Sequence, residues 1–480
     1  MTSMSRNIFL VAILLTSLTG CQFQTGSSTL TQAERLLKNG ELTEASKMAS
    51  AILKSHNLSA KERVKADSIL DICCRIKKDF TRSGGEVMQM LGKYNPKIDS
   101  TELTRLEKEH KIDLLTLDGK KTYFKNCVRN VLLLDSVYAK LKIKKEGADT
   151  DSLTIFRLNH TAKVLADAHL SGKPVNPVEM RLTYTMRVAA NEVPPGDTIR
   201  CWMPFPRENH QRQQNVRLVS TEPATNLISP ITNLQRTVYL EKVAVANQPT
   251  IFQTEIEFTS FAQTFLLKPD MIRPYQKGSS LYREFTAERP PQIVFNNNIK
   301  LLSKSILQNE TNPLLQARKI YKWINDSVTW ASALEYSIMA DIPGFVMKNR
   351  HGDCGMQTLL FMALARSVGI PVKWQSGWML HPGHVNLHDW CEVWYEGIGW
   401  VPLDQSFGLQ ESQNERIRDF YITGIDAYRM IVNDDFSRQL TPLKKYFRSE
   451  PYDFQRGEVE WKGGNLYFDK WSWHMEVEYK

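Results

Sequence analysis

The sequence predicts a multidomain chain of α and β. An N-terminal α-helical module comes first, then an antiparallel β-sandwich, then an α+β core. Three observations carry this reading. Apolar residues recur at the helical period through 29–170. Short alternating runs separated by turn residues fill 178–265. From 311 the helical period returns and is followed by strand-like runs with Gly and Pro between them. At 480 residues the chain has room for about three domains.

In TQAERLLKNGELTEASKMASAILKSH an Asn-Gly turn parts two helices, and Leu42, Ala45, Met48, Ala49 and Ile52 follow the 3.6-residue period. Ser59 with Glu62 three residues on is a capping box opening a third helix. The segment YFKNCVRNVLLLDSVYAKLKIKKE reads as another. SGKPVNP is a linker. In RLTYTMRVA, Leu182, Tyr184, Met186 and Val188 share one strand face. TIRCWMPFP, NVRLVSTEP, RTVYLEKVAV and TIFQTEIEFTSF follow at sandwich spacing, with Cys201 in the core. Residues 266–310 read as a connector. Asn312-Pro313 starts a helix that buries Leu314, Ala317, Ile320, Tyr321 and Ile324. Another helix runs over 354–368 and stops at Gly369 and Pro371. VKWQSGWML and HDWCEVWYE are strands around a loop HPGHVNL, and GIGWVPLD turns into a third strand. Residues 411–480 are expected to pack on this core as an extension.

The formal charge is +9, without a dense basic stripe or a nucleic-acid motif, so a solvated basic surface is expected and no nucleic-acid partner. Residues 1–21 have a positive start at Arg6 and an apolar run, Ile8 to Leu18, too short for a comfortable bilayer span. They end in LTGC, which resembles the lipobox of bacterial lipoproteins. That resemblance implies lipidation of Cys21, with residues 22–28 as a tether. The protein is then exported and anchored to the cell envelope. QFQTGSS lacks an acidic stretch, which favours the periplasmic face of the outer membrane over the cell surface. The other six cysteines follow neither disulfide-scaffold nor zinc spacing, and a bridge among Cys73, Cys74 and Cys127 is left open.

The chemistry centres on HGDCGMQTLLFMALARSVGIP. Cys354 heads the helix, where unpaired N–H groups bias a thiol toward thiolate, and Gly352 and Gly355 leave room for a substrate. A cysteine nucleophile wants an imidazole base, and the imidazole wants a carboxylate. His388 opens the strand HDWCEVWYE, and Asp404 ends the strand after it, so the turn between them sets the two side by side. Asp389 and Cys391 point to the other face. His381, His384, His388 and Cys391 have metal-ligand composition, but Pro382 and Gly383 break the local geometry, so no metal is assigned. No calcium loop, phosphate loop or dinucleotide fingerprint is present, and no cofactor is expected.

The set GDC–helix–GIP, HDWCEVWYE and GWVPLD, over 311–410, resembles the transglutaminase-like superfamily of papain-like cysteine enzymes. The resemblance implies an α+β core with the cysteine at a helix N-terminus, packed on an antiparallel sheet. It implies a triad of Cys354, His388 and Asp404. The Cys354 backbone N–H, and with less support the Trp330 indole, would be oxyanion donors. His351, Asp353, Trp378 and Trp390 are candidates to line the substrate cleft. The expected activity is cleavage or transfer of amide bonds in peptides or proteins through a thioacyl intermediate, with hydrolysis favoured. The alternatives are a protein-crosslinking acyltransferase and a non-catalytic binding or scaffold protein that keeps the fold.

Overall fold

The computed structural model of the chain describes residues 26–55, 58–148, 151–169 and 172–480. Cys21 and the lipobox-like segment lie outside the described residues. The chain divides into two compact units, residues 1–73 and 74–480.

In the first unit, helices Gly26–Lys38 and Leu42–Leu53 form a hairpin through Gly40, whose φ is +78°. Gly26 to Ser28, expected in the tether, already belong to the first helix. Leu42, Ala45, Ala49 and Ile52 are buried as the period requires. The helix beginning at Ala60 is opened by the expected box: Ser59 N–H donates to Glu62 at 3.0 Å, and Glu62 N–H donates to Ser59 Oγ at 3.3 Å.

The second unit adds strands to the α-helical module expected over 29–170. Strands Phe80–Arg82, Leu114–Leu117 and Lys120–Phe124 form a small antiparallel sheet among the helices. Its hairpin turns at Asp118-Gly119, both with positive φ, the turn that Asp-Gly favours. The helical period on either side had masked this signal.

Two five-stranded sheets follow. The first places Thr250–Thr264 beside Val175–Val188 and Gln213–Glu222; the second pairs Thr198–Pro204 with Thr237–Val243. Leu182, Tyr184, Met186 and Val188 face a common core with Cys201, Val238 and Phe252. The C-terminal residues do not simply cap the core domain. Trp471–Tyr479 pairs antiparallel with Val175–Val188, from Trp471 opposite Val188 to Tyr479 opposite Met180. Glu458–Trp461 pairs with Thr198–Pro204. Alternation predicts a strand but not its partner, which here lies hundreds of residues back in the chain.

In the core domain an antiparallel sheet has the order Gly399–Leu403, His384–Tyr395, Val372–His381, Arg429–Asn433. The stretch HPGHVNL is not a loop. Pro382 and Gly383 form a two-residue turn, with Gly383 at φ +78°, and the histidine strand begins at His384. Helix Cys354–Ser367 packs on this sheet and on helices Asn297–Leu307, Pro313–Ser327 and Ile342–Asn349, so nearly its whole surface is buried. Asn297–Leu307 and Ser280–Phe285 fall in the expected connector. The sheet also shares the sandwich core through Trp378, Leu380, Met430 and Val432.

Gly377 lies opposite His388 in the ladder, and a Cβ there would sit 1.9 Å from the Met430 carbonyl oxygen. Overpacking of this kind costs about 1–3 kcal/mol. Gly377→Ala is expected to lower Tm by roughly 2–10 °C in calorimetry; an unchanged Tm would contradict the close approach.

Candidate active site

His388 and Asp404 come together as the sequence predicts. His388 Nε2 is 2.7 Å from Asp404 Oδ2, and both residues are buried. Asp404 follows the strand Gly399–Leu403 directly, and its Oδ1 accepts the Phe407 N–H at 3.2 Å. Arg429 Nη1 lies 2.9 Å from Asp404 Oδ2, and Arg429 Nη2 lies 2.7 Å from Asp426 Oδ2. Asp426 reaches on to His381 Nε2 at 3.0 Å. Burial would raise the Asp404 carboxyl, but His388 and Arg429 outweigh it and hold it down to about 2. Burial lowers His388 below its usual range, Asp404 opposes this, and Arg429 adds to the lowering. The ring therefore rests neutral. An ionised Asp404 accepts from Nε2–H, and Nδ1 is left as the bare nitrogen. Among the described residues, none hydrogen-bonds to Nδ1.

Cys354 is the first residue of its helix, so its N–H has no intrahelical acceptor. Asp353 caps the helix by accepting the Met356 N–H at 3.1 Å, and it also accepts the Tyr336 hydroxyl. The thiol donates to Asp389 Oδ2 at 3.3 Å. No hydrogen bond joins Cys354 to His388 among the described residues. The register explains the arrangement. His388 and Asp389 pair with Gly377 and Ser376 on one side, whereas the ladder to Gly399–Leu403 begins only at Cys391. The other edge of the strand is unpaired at 388–389, and there the Asp389 side chain holds the thiol. His388 and Asp389 leave this point toward opposite faces.

The environment corrects the expected thiolate. Burial pushes the Cys354 thiol well above its ordinary range, and Asp389 and Asp353 push the same way. Burial also raises Asp389, together with Asp453 and Asp353. Burial first, and the two carboxyls second, favour the thiol over the thiolate that a helix N-terminus favours.

Cys354 opens into a cavity of about 200 Å³ lined also by Trp330, Tyr336, Asp353, Asp389, Asp453 and Arg456. Trp330, half-exposed, is held there by a short parallel pairing with Gly352. Three other cleft candidates are elsewhere. His351 is buried, 3.2 Å from Asp113. Trp378 is in the core and donates to the Gln455 carbonyl at 2.9 Å. Trp390 is buried and donates to Gln375 Oε1 at 2.8 Å. The two tryptophans are large and mostly apolar, and the strand alternation sends them into packing, whereas His351 is turned to Asp113. His381, His384 and His388 diverge: His384 bonds Ser152 Oγ at 2.7 Å, while the other two face Asp426 and Asp404. Among the described residues no cluster of three or more His, Cys, Asp or Glu is arranged to hold a metal ion. No disulfide joins Cys73, Cys74 and Cys127. A larger cavity of about 710 Å³, without Cys354, adjoins the same 334–341 segment.

Sequence reasoning missed Arg429 and Asp426, which sit three apart in DAYRM, and Tyr336, Asp453 and Gln455. A charged pair inside an otherwise apolar run was the available signal for the first two. The others belong to irregular segments brought in by tertiary folding.

Residues 300–405 match the family model of the transglutaminase-like superfamily, so the chain carries a transglutaminase-like domain there. No curated protein matches the chain. Among solved structures, it is similar to a "Putative Cysteine Protease" from Cytophaga hutchinsonii, with 14% identity and a TM-score of 0.43, covering 64% of this chain and 91% of that one. It is also similar to the periplasmic domain of TgpA from Pseudomonas aeruginosa, with 15% identity and a TM-score of 0.26, covering 51% of this chain and 93% of that one.

Asp353 gives the site a pH signature. Burial lifts its carboxyl to about 6, against the lowering by Tyr336 and the Met356 N–H. The folded chain therefore holds this proton where the unfolded chain has lost it. The associated stability is full below about pH 4 and is lost as pH rises through about 6, up to roughly 3 kcal/mol. Asp353→Asn keeps the cap. Urea midpoints at pH 4 to 7 should fall less steeply for the variant; parallel curves would contradict the assignment.

Proposed function

We propose that this chain is a cysteine enzyme that cleaves or transfers amide bonds of peptides or proteins through a thioacyl intermediate on Cys354. The observation that carries the reading is the His388–Asp404 pair. Its Nε2 is committed to a buried carboxylate, and its Nδ1 is left bare. The nucleophile is activated during attack rather than before it. The Cys354 thiol turns from Asp389 toward His388, gives its proton to Nδ1, and attacks the carbonyl carbon. His388 then protonates the departing amine. The Cys354 N–H and the Trp330 indole are the candidate oxyanion donors. Water releases the acyl group in the favoured outcome, and an amine acceptor would give transfer instead. No cofactor enters this scheme. The proposed setting is the cell envelope, with the chain exported and held through lipid on Cys21, at the periplasmic face of the outer membrane. Among the described residues no helix is long and apolar enough to cross a membrane.

The test uses p-nitrophenyl acetate as an activated acyl donor. The full chain should release a burst of nitrophenol with acetyl on Cys354. Cys354→Ala should abolish the burst, and His388→Ala should slow it roughly 10²–10⁴-fold. The rate should fall only on the acid side of His388's ordinary range, because protonating a ring whose proton affinity is lowered needs a more acidic medium. Adding glycine ethyl ester separates the outcomes: free acetate marks hydrolysis, and N-acetylglycine ester marks transfer. Absence of Cys354 acylation would favour a binding protein that keeps the fold.

A further inference from the structure

We infer that the helix Ser152–Asp167 is a working part of the active site, with Arg157 a positioning residue that acts on Asp404 and His388 through Phe407. This rests on the acyl-transfer reading above. The helix belongs to the N-terminal module and lies outside the family match at 300–405.

Asp404 follows the strand Gly399–Leu403, so its carboxylate lies beyond the ladder and the next turn must aim it. Oδ1 accepts the Phe407 N–H at 3.2 Å and the Ser406 hydroxyl at 3.4 Å, while Oδ2 faces His388 and Arg429. A carboxylate is planar and rigid, so holding Oδ1 aims Oδ2. The Phe407 ring also packs on the imidazole, with 4.7 Å between centroids. Phe407 therefore meets both members of the pair, one through its N–H and the other through its ring.

Arg157 holds Phe407 at two points. Its Nη2 donates to the Phe407 carbonyl at 2.5 Å, and its guanidinium carbon lies 4.1 Å from the centre of the Phe407 ring. The planar fork of an arginine can stack and donate at once, which a lysine ammonium cannot do. The carbonyl held by Arg157 and the N–H held by Asp404 belong to the same residue, so releasing one frees the other. Among the described residues no carboxylate lies within ion-pair distance of Arg157, and its Nε is buried without a partner. A guanidinium placed at that cost is spent on Phe407 and not on an ion pair.

The same helix reaches the rest of the network. Gln410, farther along the turn, donates to Thr161 Oγ1 at 3.0 Å. His160 Nε2 accepts the Ala427 N–H at 3.3 Å, and Phe156 packs edge-on against Tyr428 at 4.9 Å. Ala427 and Tyr428 lie between Asp426 and Arg429 in the chain. Arg157 and Thr161 are four residues apart and share a helix face; Phe156 and His160 share the adjacent one. One helix thus holds both the segment that carries Asp404 and the segment that carries its cation.

The test measures the nitrophenyl acetate burst of the full chain against donor concentration, with Tm and NMR of the His388 side chain on the same samples. Arg157→Met keeps an unbranched stem and removes the charge and the donor. It should slow acylation at saturating donor by roughly 10–10²-fold, leave the half-saturating concentration unchanged, and speed exchange of the His388 Nε2–H proton with water. Arg157→Lys, which keeps the charge without the fork, should fall between the two. An unchanged burst rate in Arg157→Met, with or without a lower Tm, would overturn the inference and leave acyl transfer standing. So would a change confined to the half-saturating concentration. If Arg157→Met does not fold, the unmodified rate in Arg157→Lys would overturn it in the same way. No burst from the unmodified chain would overturn both.

Discussion

The site depends on one buried bond, His388 Nε2 to Asp404, and on the guanidinium that secures it. Removing one partner of a buried charged pair leaves an uncompensated charge, which is far costlier than the pair itself is favourable. Arg429 lies within 2.9 Å of Asp404 and 2.7 Å of Asp426, so the two carboxylates share a cation and stay ionised. It also lies 4.2 Å over the Phe407 ring, which in turn lies 4.7 Å from the His388 ring. The imidazole is thus fixed in tautomer and orientation by groups from three separate strands and turns. Arg429 comes from the edge strand Arg429–Asn433, which is why a segment beyond the family match contributes to the site.

A second constraint is the protonation state of the sulfur. Helix N-termini favour anions, with effects of about 0.3–1 kcal/mol at exposed sites. Around Cys354 that bias competes with burial and two neighbouring carboxyls, and it loses. The resting site then holds a neutral thiol on Asp389 and a neutral imidazole on Asp404. Such a thiol is protected from adventitious oxidation, since reactivity follows thiolate character. The cost is that the proton must move during attack, which makes the bare Nδ1 of His388 the decisive feature.

Much of this was legible in the sequence where local chemistry governs. The helix starts at Asn312 and Asp353, the Gly369 stop, the sandwich strands and the His388–Asp404 pairing all follow from caps, periods and turns. What escaped depends on tertiary pairing. The strand Trp471–Tyr479 alternates plainly, yet nothing local says that Val175–Val188 is its neighbour. Tryptophans at 378 and 390 carry the same residue type as a substrate groove, and only the packing shows that they fill the interior. Strand alternation turns Asp389 away from His388, but its role beside the thiol depends on the strand edge at 388–389 being unpaired, which no local pattern shows.

The most direct measurement of this account is ¹⁵N NMR of the histidine side chains, with His388 assigned by comparison with His388→Gln. The account predicts a neutral ring at pH 7, protonated on Nε2 and bare on Nδ1. A ring protonated on Nδ1, or an imidazolium at pH 7, would contradict it. The first would leave Nδ1 unable to act as the base, and the second would mean that the imidazole is already charged at rest.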